Sequence, residues 1–201
     1  MIKNVIFDFG CVLVYWSQHN LYDKYFGSKE KTDWFVDNIC TWEWNNQTDV
    51  GKTFAASVAE KTAEFPEWEK EIRMYWERWE YMLGGEVPGM VAWIEELKAQ
   101  GYGVYGLSNW SHETFPLVKD KYPAFGMMDG IILSGEELIG KPDLRIYQIL
   151  LDRYGLKAEE CVFVDDRLAN IQAGEQLGIR GIVFENCEQA RKEFSERFAT
   201  V

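Results

Sequence analysis

The chain lacks an excess of basic residues. Its 201 residues include 21 lysines and arginines against 33 aspartates and glutamates, which gives a formal net charge of −12. Nucleic acids and anionic membranes bind basic surfaces, so neither is expected as a general partner of this protein. An anionic small molecule remains compatible with this composition, because a few side chains and any bound metal set the field inside a site.

The chain also lacks any apolar run close to the roughly 20 residues that a membrane-spanning helix needs. Met1–Asn4 lead directly into an apolar segment, so no signal peptide is expected. The four cysteines, Cys11, Cys40, Cys161 and Cys187, show no CxxC spacing, and the first and third of them fall in apolar segments. These features predict a cytoplasmic protein whose thiols are reduced and buried.

Five short apolar runs predict buried strands. Each is bounded by Gly, Asp or Ser and is almost continuously apolar, as in strands that are covered on both faces. The runs are Lys3–Asp8, Gly103–Leu107, Gly130–Leu133, Cys161–Val164 and Gly181–Phe184. Helical patterns follow at Pro88–Gln100, Ser111–Lys121, Pro142–Tyr154, Leu168–Leu177 and Cys187–Phe198. The alternation predicts an α/β fold, with right-handed crossovers and a doubly wound, five-stranded parallel sheet.

One segment breaks this alternation. Residues 16 to 86 show no convincing strand and hold seven of the nine tryptophans. Aromatic and aliphatic residues at helical spacing, such as Trp68, Ile72 and Tyr75, predict helices there. We interpret the segment as a helical insertion into the sheet domain. The predicted boundaries are residues 1–14 and 87–201 for the core domain and residues 15–86 for the inserted helical domain.

Polar side chains follow three of the predicted strands. Asp8 comes after the first strand, Ser108 after the second, and Asp165–Asp166 after the fourth. Ligands of parallel sheets bind outside the carboxyl ends of the strands, so these side chains are expected to lie together. Adjacent carboxylates repel each other unless a cation or another group compensates them, and Mg²⁺ favours oxygen ligands. One of the pair could instead cap the helix that starts at Leu168. The alternative for Asp8 and Ser108 is that they cap a turn and a helix.

Lys141 lies in the segment Gly140-Lys141-Pro142, just before a predicted helix. Pro142 biases the preceding lysine towards an extended conformation, which would project its ammonium group into the cleft. There it would neutralise the oxygens of a phosphoryl group and the charge of Asp8. The alternative is a solvated surface lysine.

Four segments, taken in chain order, resemble the four motifs of the haloacid-dehalogenase-like (HAD) hydrolase superfamily. They are Val5–Gly10, Leu107–Asn109, Gly140–Pro142 and Phe163–Asp166. The helical insertion resembles the type 1 cap of that superfamily. The resemblance implies a HAD-like Rossmannoid core and a Mg²⁺-dependent phosphatase that acts on a small phosphorylated metabolite.

The resemblance also implies roles for individual residues. Asp8 would be the nucleophile that forms an aspartyl-phosphate, which water then hydrolyses. Asn170 would help to fix the loop after the fourth motif. The resemblance assigns catalysis to Asp8 and Lys141, phosphate binding to Ser108, Asn109 and Lys141, and metal binding to Asp8, the Gly10 carbonyl and Asp166, with Asp165 in a supporting or water-mediated position.

One residue of the superfamily's usual set is missing. Its phosphatases usually carry a second aspartate, two residues after the nucleophile, that protonates the leaving oxygen and later activates water. That position is Gly10 here, and general acid–base catalysis is worth about 10²–10⁴-fold. A good leaving group, such as that of a sugar 1-phosphate, could suffice, and a subgroup resembling bacterial glucose-1-phosphate phosphatases shares the Asp-x-Gly pattern. The other candidates to move the proton are His19, Glu43, His112 and Asp165.

Two other functions compete with a phosphatase. Gly10 also fits a phosphate-binding regulatory protein with little turnover. Metal-free 2-haloacid dehalogenases use the same aspartate, but they carry an aromatic residue in place of Gly10, and the Asp165–Asp166 pair argues against them. Substrate contacts are expected from Trp42–Gln47, which mixes aromatic and amide groups. The sequence leaves the substrate and the oligomeric state open.

Overall fold

The computed structural model describes residues 1–198, so the last three residues of the predicted core range 87–201 lie outside it. The strands are β1 (Asn4–Phe7), β2 (Val14–Trp16), β3 (Leu83–Glu86), β4 (Gly103–Ser108), β5 (Gly130–Leu133), β6 (Cys161–Asp165) and β7 (Arg180–Val183). The helices are α1 (His19–Phe26), α2 (Lys29–Asn38), α3 (Trp42–Asp49), α4 (Phe54–Glu64), α5 (Glu69–Glu77), α6 (Met90–Ala99), α7 (Phe115–Val118), α8 (Pro123–Gly126), α9 (Ser134–Glu137), α10 (Leu144–Tyr154), α11 (Leu168–Gln176) and α12 (Cys187–Arg197).

The central sheet has five parallel strands in the order β5-β4-β1-β6-β7, which confirms the predicted α/β fold. Alternation along β1 places Val5 and Phe7 on the face covered by α6 and α12. Ile6 points to the opposite face, which α10 and α11 cover. On the first face the Trp93 ring stands edge-on to Phe7, with 5.2 Å between ring centroids. The strands read as continuous apolar runs because both faces of the sheet are buried.

Helices α1–α5 all lie between β2 and β3. The prediction that this segment holds no strand was wrong at both of its ends, where β2 and β3 pair antiparallel and match Val14 with Glu86. The two strands have three and four residues, which is too short for a visible alternation. Gly84 allows the close pairing, because a Cβ there would lie 2.9 Å from the Cβ of Tyr15. This β2–β3 ribbon carries both passages of the chain between the sheet and the helical insertion.

The predicted helix Ser111–Lys121 was wrong over most of its length, because only the single turn α7 is helical. Ser111 forms a tight turn instead: its hydroxyl accepts from the Glu113 N–H and its carbonyl accepts from the Thr114 N–H. Such local bonds compete with regular helix formation. The apolar residues Phe115 and Val118 are buried, so the spacing that suggested a helix reflects this one turn.

The cysteines are all free thiols, and Cys40, Cys161 and Cys187 are buried as predicted. The prediction was wrong for Cys11, which is exposed. Cys11 adopts a left-handed backbone conformation, with φ of 60°, in the turn after β1, and this turn carries it out of the sheet. Among residues 1–198, no helix combines the length and the apolar character that crossing a membrane requires.

Candidate active site

Three neighbouring strands bring the predicted site residues together at one edge of the sheet. Asp8 follows β1, Ser108 ends β4 and Asp165 ends β6. Because β1 lies between β4 and β6, with Phe7 level with Val164, their carboxyl ends open into the same space. Lys141 reaches this space from the loop before α10. The structure therefore places the four motifs around one site.

Asp8 is held at one of its two carboxylate oxygens. Its Oδ1 accepts from the Phe9 backbone N–H at 2.6 Å and from the Ser108 hydroxyl at 2.9 Å, and it lies 2.9 Å from the Lys141 ammonium. Within residues 1–198 no hydrogen bond engages Oδ2, which is therefore available to a reacting atom or a cation. Burial raises the pKa of Asp8 to about 7. The charge of Lys141 lowers this pKa, and the charge of Asp165 raises it.

Lys141 forms a buried ion-pair network. Its ammonium lies 2.7 Å from Oδ2 of Asp165, and the two side chains are 1% and 0% exposed. Burial alone would lower the pKa of Lys141, but the Asp165 and Asp8 carboxylates outweigh it and raise that pKa. Asp165 also accepts from the Arg167 backbone N–H and from the Asn170 amide. Asp165 thus fixes a charged lysine beside Asp8, and its predicted support of a metal stays a prediction.

Asn109 has a contact that sequence reasoning missed. Its Oδ1 accepts from the Lys141 backbone N–H at 2.7 Å, and its Nδ2 donates to the Lys141 carbonyl at 2.9 Å. Both ends of the amide are thereby used to position the lysine loop. Asn109 also lines the cavity, and its predicted contact with phosphate stays a prediction.

The carboxylates of Asp8, Asp165 and Asp166 form a cluster. One oxygen of each lies within 4.8 Å of the others, and Asp166 is exposed. Burial and the charge of Asp165 raise the pKa of Asp166. The charges of Arg167 and Lys141 lower it and offset part of this shift. Three carboxylates around one buried ammonium leave an excess of negative charge. The donor set of oxygens and this charge fit Mg²⁺, and Gly10 lines the same cavity, as expected for a carbonyl ligand.

The cavity in front of this cluster measures about 230 Å³ and has a second wall, which comes from the helical insertion. Of the predicted substrate-contact stretch, Trp42 and Asn45 line the cavity. Trp44 is buried inside the insertion instead, against Tyr75, and Glu43 is exposed. The insertion lines the cavity with Trp16, Ser17, Gln18, Trp42, Asn45, Asp49 and Trp79.

The residues proposed to move the proton lie elsewhere. His19 faces Asp23 and Asp33, at 3.1 and 3.5 Å, and among residues 1–198 neither His19, Glu43 nor His112 is part of the cavity wall. The carboxylate of Asp165 is already engaged by Lys141 and by its other hydrogen-bond donors. The acidic side chain that does line the cavity from the insertion is Asp49, which sequence reasoning missed. The available signal was its position, between the Trp42–Gln47 stretch and Gly51.

A comparison with known protein families places the chain among the hydrolases. The family model of haloacid dehalogenase-like hydrolases matches residues 2–178, and the chain belongs to that family. The chain is similar to sesquiterpene phosphatase astK of Aspergillus oryzae, with 34% identity over 93 residues, which are 46% of this chain and 47% of that protein. It is also similar to the glyceraldehyde 3-phosphate phosphatase of Methanocaldococcus jannaschii, with 44% identity over 52 residues, 25% of this chain and 23% of the other. The matches thus span about half or less of these curated relatives.

Two solved structures share the fold over their whole length. A HAD family enzyme from Bacteroides thetaiotaomicron, solved as a magnesium complex, has a TM-score of 0.73 over 99% of both chains at 19% identity. A predicted HAD-like family hydrolase from Porphyromonas gingivalis has a TM-score of 0.77 over 100% of both chains at 18% identity. At such low identity, the likeness establishes the common architecture alone.

Proposed function

We propose that this protein is a Mg²⁺-dependent phosphatase that hydrolyses a small phosphorylated metabolite through an aspartyl-phosphate on Asp8. The observation that carries the proposal is the convergence of Lys141 and Ser108 on one oxygen of Asp8, which leaves the other oxygen without a hydrogen bond among residues 1–198. Two of the similar proteins are phosphatases, and a protein with the same fold was solved with magnesium.

In the proposed first step, Oδ2 of Asp8 attacks the phosphorus and the bond to the leaving oxygen breaks. Lys141 and Ser108 lie where they would neutralise and hydrogen-bond the phosphoryl oxygens. The charge of Lys141 also favours the ionised form of Asp8 that the attack requires. In the second step, water attacks the phosphorus of the aspartyl-phosphate, inorganic phosphate leaves, and the Asp8 carboxylate is restored.

The residues that would hold the cation are Asp8, the Gly10 carbonyl and Asp166, with Asp165 behind them. A bound Mg²⁺ supplies positive charge next to the phosphoryl group. Because Asp165 is tied to Lys141, it would act mainly by keeping the ammonium beside Asp8. The pair Asp165–Asp166 thus divides two tasks, lysine positioning and cation binding, between adjacent residues.

The cavity favours a small substrate that carries hydroxyl groups, and a sugar phosphate is our preferred candidate. Its volume of about 230 Å³ suits a compact ligand. The polar side chains of Ser17, Gln18 and Asn45 line it, and such groups suit the hydroxyl groups of a ligand. The small substrate, with no nucleic acid or membrane partner, and a cytoplasmic location belong to this proposal.

The proposal is tested with 4-nitrophenyl phosphate and a panel of sugar 1- and 6-phosphates, with Mg²⁺ or with a chelator. We expect multiple turnovers with Mg²⁺ and none with the chelator. Asp8→Asn should fall to the background rate because it removes the nucleophile. Asp37→Asn removes an exposed carboxylate of α2 and serves as the control with unchanged turnover. Full activity in Asp8→Asn would refute the mechanism.

The same panel separates the competing functions. Gly10 favours a phosphate-binding protein as the second candidate, because it leaves the position of the usual acid without a side chain. Tight binding of a phosphorylated metabolite without turnover would support that function. Release of halide from a 2-haloacid, unaffected by the chelator, would support a dehalogenase instead.

A further inference from the structure

The proposed reaction needs a group that moves protons, and position 10 holds none. A Cβ built on Gly10 would meet no atom within 4 Å, so the space beside it is open. This space belongs to the cavity that Asp8 lines. A carboxyl group that serves the leaving oxygen must therefore reach the cavity from another element.

Asp49 reaches the cavity from the helical insertion and is anchored to the sheet domain. It is the last residue of α3, and its carbonyl accepts from the Ser134 hydroxyl. Two residues later Gly51, with φ of 100°, packs so closely on Leu138 that a Cβ would lie 2.2 Å from Cδ2. The positive φ of residue 51 favours glycine, because other side chains are strained in this conformation. The end of α3 is thus docked on the opposite wall of the site.

The start of α4 adds another anchor to the same turn. The backbone N–H of Phe54 donates to Oε2 of Glu113 at 2.6 Å, a bond between the insertion and the segment after β4. Contacts at residues 49, 51 and 54 therefore fix the α3–α4 turn against the sheet domain. This docking gives Asp49 a defined position relative to Asp8.

The Asp49 side chain is oriented by two linked hydrogen bonds, the first buried and the second half-buried. The Tyr75 hydroxyl donates to Oδ1 of Asn45 at 2.6 Å, so Nδ2 of Asn45 is the end that donates to Oδ2 of Asp49, at 2.9 Å. An amide N–H cannot accept a proton. A proton on Asp49 therefore cannot lie between Oδ2 and Asn45, and the backbone N–H of Ser111 is a second donor to this carboxyl group that lowers its pKa.

The surroundings of Asp49 suit a group that gives and takes a proton near neutral pH. Burial raises its pKa to about 8; Arg167 acts in the opposite direction and the charge of Asp8 in the same one. Arg167 is itself held over the Trp42 ring, 4.2 Å from its centroid. An acid–base group works best when its pKa lies close to the working pH.

We propose that Asp49 is the general acid and base of this enzyme, supplied by the insertion in place of a side chain at position 10. The inference rests on the proposed phosphatase function. While Asp8 bonds to phosphorus and the bond to the leaving oxygen breaks, that oxygen takes the proton from Asp49. The resulting carboxylate then takes a proton from the water that attacks the aspartyl-phosphate. Inorganic phosphate leaves, and both side chains return to their starting forms.

The test compares two leaving groups in Asp49→Asn. An alkyl phosphate needs the proton, so its turnover should fall by about 10²–10⁴-fold. 4-Nitrophenolate leaves without one, so the first step should persist, with a burst of about one nitrophenolate per enzyme before slow turnover. Asp37→Asn should leave both substrates unchanged. Asp49→Ser keeps a hydrogen-bond acceptor for Asn45. If the asparagine variant folds poorly, the serine variant should show the same difference between the two substrates.

A rescue separates proton transfer from a structural role. Gly10→Asp, placed in the Asp49→Asn background, has room for its side chain and should restore alkyl phosphate turnover at least tenfold. An equal loss for both substrates, without a burst and without rescue, would overturn the inference and leave the phosphatase function standing. So would a wild-type enzyme that hydrolyses no alkyl phosphate. A wild-type protein inactive on every phosphate would refute the proposed function itself.

Discussion

The two walls of the cavity are built differently. On the sheet wall, Asp8, Lys141 and Asp165 are joined by ion pairs of 2.7 to 2.9 Å, and their side chains are almost completely buried. The wall from the insertion carries aromatic rings, amides and one carboxyl group, that of Asp49. The sheet wall suits the phosphoryl group, which is common to all substrates of a phosphatase. The insertion wall suits the part of the substrate that differs.

The walls also differ in what fixes them. The two buried carboxylates of the sheet wall lie at strand ends, and their ion pairs with Lys141 hold the three side chains in place. The insertion wall depends on contacts at the turn after α3 and on the stacking of Arg167 over Trp42. We expect changes on the sheet wall to affect stability and every substrate alike, whereas changes on the insertion wall should affect substrates unequally.

The largest effect is expected from Lys141→Met. It leaves Asp165 as a buried charge without its partner, which costs about 3–5 kcal/mol of unfolding free energy. Urea unfolding measures this loss, and turnover should fall for every substrate. The double variant Lys141→Met with Asp165→Asn should regain stability without regaining activity. Stability that is unchanged in the single variant would contradict the buried ion-pair network.

A smaller effect is expected from pH on the wild-type enzyme. The proposed acid form of Asp49 is lost as pH rises through its pKa of about 8, so alkyl phosphate turnover should fall there, by about tenfold per pH unit at the limit. Burial is the main cause of this raised pKa, and the charged groups that act on it are Arg167, which lowers it, and Asp8, which raises it. This fall in turnover at high pH should be absent in Asp49→Asn. A fall that persists in that variant would assign the proton to another group.

The smallest effect is expected from Trp42→Leu. Loss of the stacking on Arg167 removes about 0.5–1 kcal/mol, equivalent to roughly a two- to fivefold rise in KM for a sugar phosphate. The kcat for 4-nitrophenyl phosphate should stay unchanged. Trp34→Leu is the matched control, because Trp34 is a 48% exposed tryptophan on α2 outside the cavity wall. Equal effects of both variants would remove the distinction between the walls.

Much of the sheet wall was predictable because its geometry follows from short-range rules. Asp8, Ser108 and Asp165 each end a buried strand, and parallel strands bring such ends to one edge. The contact of Lys141 with Asp8 was predicted, but its ion pair with Asp165 was not, because that pair depends on how the loop before α10 folds. The hydrogen bonds of Asn109 were not predictable for the same reason, because its amide binds the backbone of that loop.

The insertion wall was harder to predict because it depends on long-range docking. The contact between Asp49 and Ser134 joins residues 85 positions apart, and no local pattern indicates it. The amide of Asn45 faces the cavity only because Tyr75 and Asp49 hold it from two sides. The β2–β3 ribbon was missed because a strand of three residues has no readable period. The predicted domain boundaries at residues 14 and 87 stay a prediction, although the ribbon lies beside them.

The ribbon has a consequence for engineering. Because Val14 pairs with Glu86, the chain leaves the sheet and returns to it at neighbouring points. The insertion can therefore be exchanged as a cassette between two fixed ends, with each end joined at one strand of the ribbon. Such a graft would replace the insertion wall of the cavity and leave Asp8 and Lys141 in place. Under the proposed function, it would carry the substrate preference of one protein into another.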